Sequence, residues 1–504
     1  MPLATAKPAQ RAAGSDGRPG RLTESLLLLA VATAATPLYV NVYSHFTLRS
    51  TDLLVFLACV SWGLALLRGK AKPLLSTPVD VPLVALFAAI VASLSVAPHP
   101  FEWLKAARPW FLFGAAFWLL AAHLPDARAA GRVVLASLVG LVLQLAIGLA
   151  EMGLGQDRLR HLLLGPFGHV LYEPDVMNDR LKDFLFNWAM HADDPMRFVI
   201  GAYPSGTTFN STVFSVVMAG LALVLVAYES HDRLRSRLAV ALSVVAALVM
   251  LLSFKRSGWV AFGAGLPVLA LAGRWGAVKR WLVPAGAIAA VFVALSLFVP
   301  KAGAQMVSRA ESIGEEVEGT PVAGPAPASA TVAAPNDRFA LWHRGLEILA
   351  AHPLTGVGCG QWPSHGPWTP TRRGLIRWGN PESSVISLAA ETGVFGVGGY
   401  LAMIALLVGL AVKLAWRGGD DAWVAAACAV GMTALAVGSC LDTSFTDDKS
   451  WPLFAAYAAA TVALHRRARA RSAAERQPTL MPRAQASSES AAAERVADRT
   501  GTGT

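Results

Sequence analysis

The chain has 504 residues, of which 54% are hydrophobic and 15% charged, and a formal net charge of +10. That balance excludes a soluble enzyme and points to a polytopic membrane protein, because apolar runs of about 20 residues recur and each can cross a hydrocarbon core of about 30 Å as a helix. The cations lie in short loops and tails instead of one stripe, so membrane topology explains them better than nucleic-acid binding does.

The fold class expected is all-α, a polytopic transmembrane helix bundle of about twelve spans with two long periplasmic loops containing amphipathic helices. The spans fall near 25–42, 51–67, 79–96, 106–122, 132–152, 208–228, 238–252, 257–273, 281–299, 383–412, 422–440 and 450–465. An N-terminus on the cytoplasmic side puts Arg68, Arg128, Arg233, Arg274, Arg417 and Arg466 on that side too, as the positive-inside rule asks. The organisation is then a disordered cytoplasmic tail (1–24), an N-terminal transmembrane scaffold (25–152), a first long periplasmic loop (153–207) and transmembrane helices with a basic outer turn (208–300). A large periplasmic loop (301–382, with 319–335 disordered), C-terminal transmembrane helices (383–465) and a disordered cytoplasmic tail (466–504) complete it. The four cysteines form no disulfide framework and no zinc spacing. Leu26 to Ala35 has features of a signal peptide, but the apolar stretch continues through Pro37 to Val42, which favours an uncleaved first helix.

In the scaffold, Arg49, Lys105 and Arg108 fall toward the outer face, where snorkelling to the interface accounts for them. The first long loop is rich in aromatics that suit an interfacial cap. At its end Arg197 and Asn210 bracket RFVIGAYPSGTTFN, where Pro204 and Gly206 break the backbone as a span begins and present polar groups at membrane level. Between spans seven and eight, SFKRSGW puts Lys255 and Arg256 at the positive N-terminal end of a helix. A cation is unfavourable there, so an anion such as the phosphate of a lipid is expected beside them.

In the second long loop an acidic patch (Glu311, Glu315, Glu316, Glu318) precedes GTPVAGPAPASATVAAP, a flexible insertion. Pro335, Asn336 and Asp337 start a helix, RFALWHRGLEILAAH, in which Phe339, Trp342, Leu346 and Leu349 form one stripe. That stripe should lie on the membrane or on other helices, with Arg338 at its edge facing the protein and Arg344 solvated. GVGCG follows Pro353 as a turn whose amides are a weak candidate anion cradle. Glu382 lies where the chain re-enters the membrane; partial desolvation makes it a candidate general base, while a helix-capping acid is the bland alternative. Glu391, inside the tenth span, should face the bundle and find a partner, as structural glue or as part of a site. The last outer loop carries Asp442, Asp447 and Asp448; the pair Asp447 and Asp448 could bind a cation, but without further ligands it reads as solvated loop charge.

On these residues the chain resembles the O-antigen ligase and Wzy-type polymerase superfamily, integral-membrane glycosyltransferases of the bacterial envelope. The resemblance rests on SFKRSGWVAF, RFALWHRGLEILAAHPLTGVGCGQW and SSVISLAAETGVFGV, with GTTFN similar to the family's Gly and Asn before a span. It implies transfer or polymerisation of glycan from an undecaprenyl-diphosphate carrier onto an acceptor hydroxyl at the periplasmic face of the inner membrane. The implied route is inverting and metal-independent, with no cofactor. Partners are then the lipid-linked glycan, a glycan or lipid acceptor and membrane lipids, with no nucleic acid. Arg256 and Arg338 match the family's functional arginines, with Glu382 as the catalytic carboxylate; Lys255, Arg197, Asn210, Trp342, His365 and Glu391 are substrate-binding candidates. The family's ligases carry a His-Asn pair where this chain has Pro381, Glu382 and Ser383. Either Glu382 replaces the imidazole, or His365 reaches in from the loop, or the protein is a polymerase in which arginines dominate. A polytopic transporter or flippase of a lipid-linked glycan is the competing class, but it should gather ionisable residues at the bilayer midplane in two related halves.

Overall fold

The structure, a computed structural model, describes residues 21–34, 39–43, 46–70, 74, 76–154, 211–228, 232–253, 255–282, 285–286, 290, 338–371, 374–377, 380–442 and 450–476. Its body is helical. The first half contains α1 (Arg21–Thr33), α2 (Ser50–Leu67), α3 (Asp80–Ser93, continued by one 3₁₀ turn), α4 (Pro100–His123) and α5 (Ala127–Leu154). Next come α6 (Ser211–Ala227), α7 (Arg233–Leu252), α8 (Arg256–Leu271), α9 (Arg338–Ala351) and the single turn α10 (Trp362–His365). The last three are α11 (Ser384–Trp416), α12 (Ala422–Leu441) and α13 (Trp451–Arg476). Among the described residues five helices are long and apolar enough to cross a membrane: Ser50–Leu67, Ala127–Ala150, Arg233–Leu252, Ser384–Trp416 and Ala422–Leu441. Asp80–Val96 and Thr212–Ala227 are shorter apolar helices.

At the centre stands α12, whose sequence AWVAAACAVGMTALAVGSCL is mostly small residues and is buried nearly throughout. Small side chains let neighbouring backbones approach, which is how apolar helices associate when lipid removes the hydrophobic drive between them. Gly431 lies against the Tyr457 ring of α13, and Gly438 against Val216 of α6. Polar links cross the bundle at Ser137–Tyr457 (3.1 Å), Tyr400–Ser439 (2.9 Å) and Trp281–Ser243 (2.9 Å). Each contributes about 0.6 kcal/mol.

These contacts also fix direction. Gly220 faces Ala434 and Gly438 faces Val216, so α6 and α12 are antiparallel; Gly258 meets Ser215 and Gly265 meets Leu223, so α8 runs parallel to α6. The C-terminus of α12 is therefore level with the N-termini of α6, α8 and α11, and that level is called the site end. At the opposite, basic end Arg467 pairs with Asp421 (2.8 Å) and Arg132 with Glu24 (2.8 Å). There Arg466 donates to the carbonyls of Ala121 and Leu124, a cation closing the C-terminus of α4 where the helix dipole favours it.

Several expectations are corrected. The first span does not run to Val42: α1 ends at Thr33, and Tyr39–Tyr43 pairs antiparallel with Phe46–Arg49 as β1 and β2. Proline is unfavourable in a helix interior and the sequence places one at 37, while YVNVY is rich in the residues a strand prefers. A second hairpin, β3 (Trp368–Thr371) with β4 (Gly374–Arg377), lies between α10 and α11. The C-terminal helix continues past His465 to Arg476, and the N-terminal one begins at Arg21. Arg49 is no snorkelling residue, being buried at the start of α2, and Arg108 turns inward to Asp52 (3.8 Å), a carboxylate only 2% exposed. Lys105 pairs with Glu102 at 2.9 Å. Most of 281–299, the first long loop, Asp447, Asp448 and the flexible insertion lie outside the described residues.

Candidate active site

The chain between α9 and α11 is held by one interlock. Gly393 interrupts α11 with φ 71° and ψ −168°, a backbone state open essentially to glycine alone. The helical bond that Val394 would make to Ala390 is therefore lost. Val394 N–H donates instead to the Pro353 carbonyl (2.8 Å), while the freed carbonyls of Ala390 and Glu391 accept from Val357 N–H (3.0 Å) and Gly358 N–H (3.1 Å). The fit is close on both sides: a Cβ on Gly356 would strike the backbone at Ala390 to Thr392, and one on Gly393 would lie 2.5 Å from the Pro353 oxygen.

Glu391 completes this joint. Buried at 7% exposure, its Oε1 accepts from Trp362 N–H at 3.1 Å, and Gly360 N–H and Ser387 also point at the carboxylate. Cys359 N–H donates to Ser93 Oγ (3.2 Å) and Gln361 Nε2 to the His99 carbonyl (3.2 Å), seating the turn on α3 and α4. Burial, with the Glu391 charge adding to it, pushes the Cys359 thiol well up. One reading changes accordingly: the amides of GVGCG are engaged by protein acceptors and do not form an anion cradle. Glu391 faces inward and finds its partners in the backbone of the turn, as structural glue does.

The joint positions α9. Its buried face is Leu341, Gly345 and Ile348, with Gly345 against Ile386 of α11 and Trp362 close behind. The expected stripe is the other face: Phe339 and Leu346 are 43% and 52% exposed, and the Phe339 and Trp342 rings meet edge to face at 5.4 Å. A helix with two apolar faces buries the one whose small residue admits the partner backbone. Arg344 is only partly solvated, 32% exposed, since Nε donates to the His365 carbonyl (3.1 Å) and Nη1 to Glu347 (2.9 Å).

Arg338, the first residue of α9, reaches across to the mouth of α11. Its Nε donates to Glu382 Oε2 at 2.7 Å and its Nη1 to the Leu441 carbonyl at 3.0 Å, so one guanidinium bridges the entry to α11 and the exit of α12. About a quarter of each side chain in the ion pair is exposed, 27% for Arg338 and 23% for Glu382. Glu382 has φ 50°, the one positive-φ non-glycine among the described residues, and its N–H is held by Asn380 Oδ1 (2.9 Å). Such a conformation in a non-glycine residue is a local cost that clusters at functional sites. Ser383 then caps α11 through Ile386 N–H, and Ser384 N–H and Oγ both donate to the Asp442 carbonyl.

The structure thus joins Arg338 to Glu382 and puts Lys255 and Arg256 at the same end, one at the N-cap and the other at the first position of α8. The Lys255 carbonyl accepts from Ser215 Oγ (3.4 Å). Trp342 lies one turn from Arg338 and packs on the small cluster of Leu341, Ile348, Val357, Trp362 and Ala390. His365 Nδ1 donates to the Gln361 carbonyl (3.1 Å) at the end of α10. Arg197 and Asn210 lie outside the described residues. Sequence reasoning gave no role to Asp442, which is 7% exposed beside Leu441. Its signal is the end of an apolar helix followed at once by an acid, a pattern equally common in loops.

Helices of membrane-crossing length and a set of arginines and carboxylates gathered at one end of the bundle define a membrane protein with its polar chemistry at a single face. Residues 238–401 match the family model Wzy_C, described as O-antigen ligase, and this match supports an O-antigen ligase or Wzy-type superfamily assignment. The match supports a membrane glycosyltransferase-like protein that ligates or polymerises glycan. It spans Arg256, Arg338, Glu382 and the whole interlock. No curated protein matches the chain.

Proposed function

We propose that the chain transfers or polymerises glycan from an undecaprenyl-diphosphate carrier onto an acceptor hydroxyl, with the site end facing the periplasm, the basic end and both termini cytoplasmic, in the inner membrane. The observation that carries this reading is the Arg338–Glu382 pair at 2.7 Å at the mouth of α11, inside the matched domain. In the reaction the acceptor oxygen bonds to the anomeric carbon from the face opposite the diphosphate, the carbon–oxygen bond to the carrier breaks, and configuration inverts. The acceptor proton passes to the Glu382 carboxylate, which the Arg338 guanidinium orients through their 2.7 Å contact; a positioned base contributes about 10²–10⁴ in rate. The leaving diphosphate carries growing negative charge, and Arg338, Arg256 and Lys255 supply fixed cations for it. The leaving group is already stable as an anion, so the route asks for no metal and no cofactor. Trp342 and His365, with Arg197 and Asn210, are proposed to bind the glycan or its carrier, while Glu391 positions the turn that precedes His365.

The test is turnover of a purified undecaprenyl-diphosphate oligosaccharide in liposomes, comparing wild type with Arg256→Ala, Arg338→Ala and Glu382→Gln. A ladder of longer lipid-linked chains identifies a polymerase, and a single transfer to an added lipid acceptor a ligase. Movement of the intact lipid across the liposome membrane without turnover would overturn the enzyme reading in favour of a flippase.

A further inference from the structure

An apolar groove lies at the opposite end of the bundle from Arg338. The last turns of α8, the helical residues 275–282 and the end of α11 enclose an apolar groove of about 590 Å³, lined by Leu266, Ala270, Leu271, Trp275, Val278 and Trp416. The two indoles at its rim are 59% and 67% exposed. Trp416 is set there by the chain reversal at Gly273 (φ 75°), whose Cβ position lies 3.6 Å from the indole. Exposed tryptophans at a helix end mark the level where acyl chain gives way to headgroup.

The charge that α8 and residues 275–282 bring to this groove has one sign; beyond Trp416 the chain carries Asp420 and Asp421, of which Asp421 pairs with Arg467 at 2.8 Å. From residue 256 to residue 300 the chain contains no Asp or Glu, but it carries Arg274 between the lining residues Leu271 and Trp275, then Lys279 and Arg280. Lys279 is exposed one turn beyond Trp275 on the same face of its helix, and Lys413 is exposed one turn before Trp416. A dry slot for an acyl chain beneath a basic rim fits a lipid with a negative headgroup, because cations near the membrane surface attract anionic lipids and basic pockets between helices hold their phosphates. A zwitterionic lipid gains less from that rim, because its own cationic group offsets its phosphate. We propose that the groove between α8, residues 275–282 and the end of α11 is a binding site for an anionic phospholipid, with an acyl chain between Trp275 and Trp416 and the phosphate at Arg274, Lys279 and Lys413. The site is at the far end from Arg338 and does not depend on the proposed transferase activity.

The test uses the full chain, delipidated in detergent and titrated with phosphatidylglycerol or phosphatidylethanolamine, with bound lipid counted by native mass spectrometry. Wild type should retain phosphatidylglycerol over phosphatidylethanolamine. Lys279→Gln and Lys413→Gln, both at exposed positions, should each weaken that retention about fivefold, and Val278→Trp should fill the slot and abolish it with an unchanged melting temperature. Equal retention of both lipids, unchanged retention in all three variants, or a dimer in place of the lipid adduct would overturn the proposal. The last result would show that a second copy of the chain occupies the groove.

Discussion

Gly393→Ala tests the joint on which the candidate site rests. The residue has φ 71° and ψ −168°, a state that costs a non-glycine residue about 1–3 kcal/mol. Its new Cβ would also lie 2.5 Å from the Pro353 oxygen and 2.6 Å from two atoms of Leu354, all backbone. Overpacking of this kind adds about 1–3 kcal/mol, so undocking of the 353–362 segment becomes easier by about 2–6 kcal/mol in total. Gly398→Ala is the internal control, because nothing lies within 4 Å of its Cβ and alanine stabilises a helix interior by about 1 kcal/mol over glycine. The reporter is Cys359, buried in the docked turn with its thiol pushed up. With Cys59, Cys428 and Cys440 replaced by serine, maleimide alkylation of Cys359 at pH 8 should be slow in wild type and in Gly398→Ala. It should be at least about tenfold faster in Gly393→Ala, since opening exposes the sulfur and removes the burial that disfavours its thiolate. Equal alkylation rates and equal melting temperatures for the two glycine variants would refute the interlock.

Three further outcomes follow from the same geometry. Arg338→Ala should lower turnover by about 10²–10³ with little change in melting temperature, because a partly exposed ion pair contributes below about 1 kcal/mol; Arg338→Lys should recover only part, having no planar fork to hold Glu382 and the Leu441 carbonyl together. Glu391→Ala should lower stability by about 1–3 kcal/mol by stranding the buried Trp362 amide, and Glu391→Gln, which keeps an acceptor oxygen, should recover much of it in a thermal melt. Arg466→Ala should lower stability by about 1–2 kcal/mol through the open carbonyls at the end of α4, and kcat/KM of the remaining folded protein should match wild type.

Much of the scaffold was legible because a helix in an apolar solvent satisfies its own backbone, so hydropathy alone marks its place. The runs expected at 51–67, 257–273 and 422–440 correspond to α2, α8 and α12 with ends displaced by at most two residues. What failed depended on partners far away in sequence. The stripe of larger residues on α9 was legible as a surface for membrane or helices, but the packing of Gly345 on Ile386 along the adjoining face was not. Arg108 carries the same local signature as a snorkelling cation, and only the position of Asp52 turns it inward. The glycines of GVGCG and the ETG of α11 were both visible as motifs. Nothing local says that one closes on the other.

That closure gives the Arg338–Glu382 pair its geometry. A long arginine side chain on a free loop would lose rotamer freedom each time it met a substrate, and a carboxylate beside it would hold it in many arrangements. Here α9 is fixed at its C-terminal side by the Pro353 and Val357 bonds to α11 and at its N-terminal side by Arg338 on the Leu441 carbonyl. The two helix ends that receive Arg338 are themselves tied, Ser384 donating twice to the Asp442 carbonyl. Four chain segments therefore determine one distance of 2.7 Å. Breaking any one of these ties leaves the residues of the pair present but their separation undetermined, which for a group meant to meet developing charge is a loss of rate before it is a loss of fold.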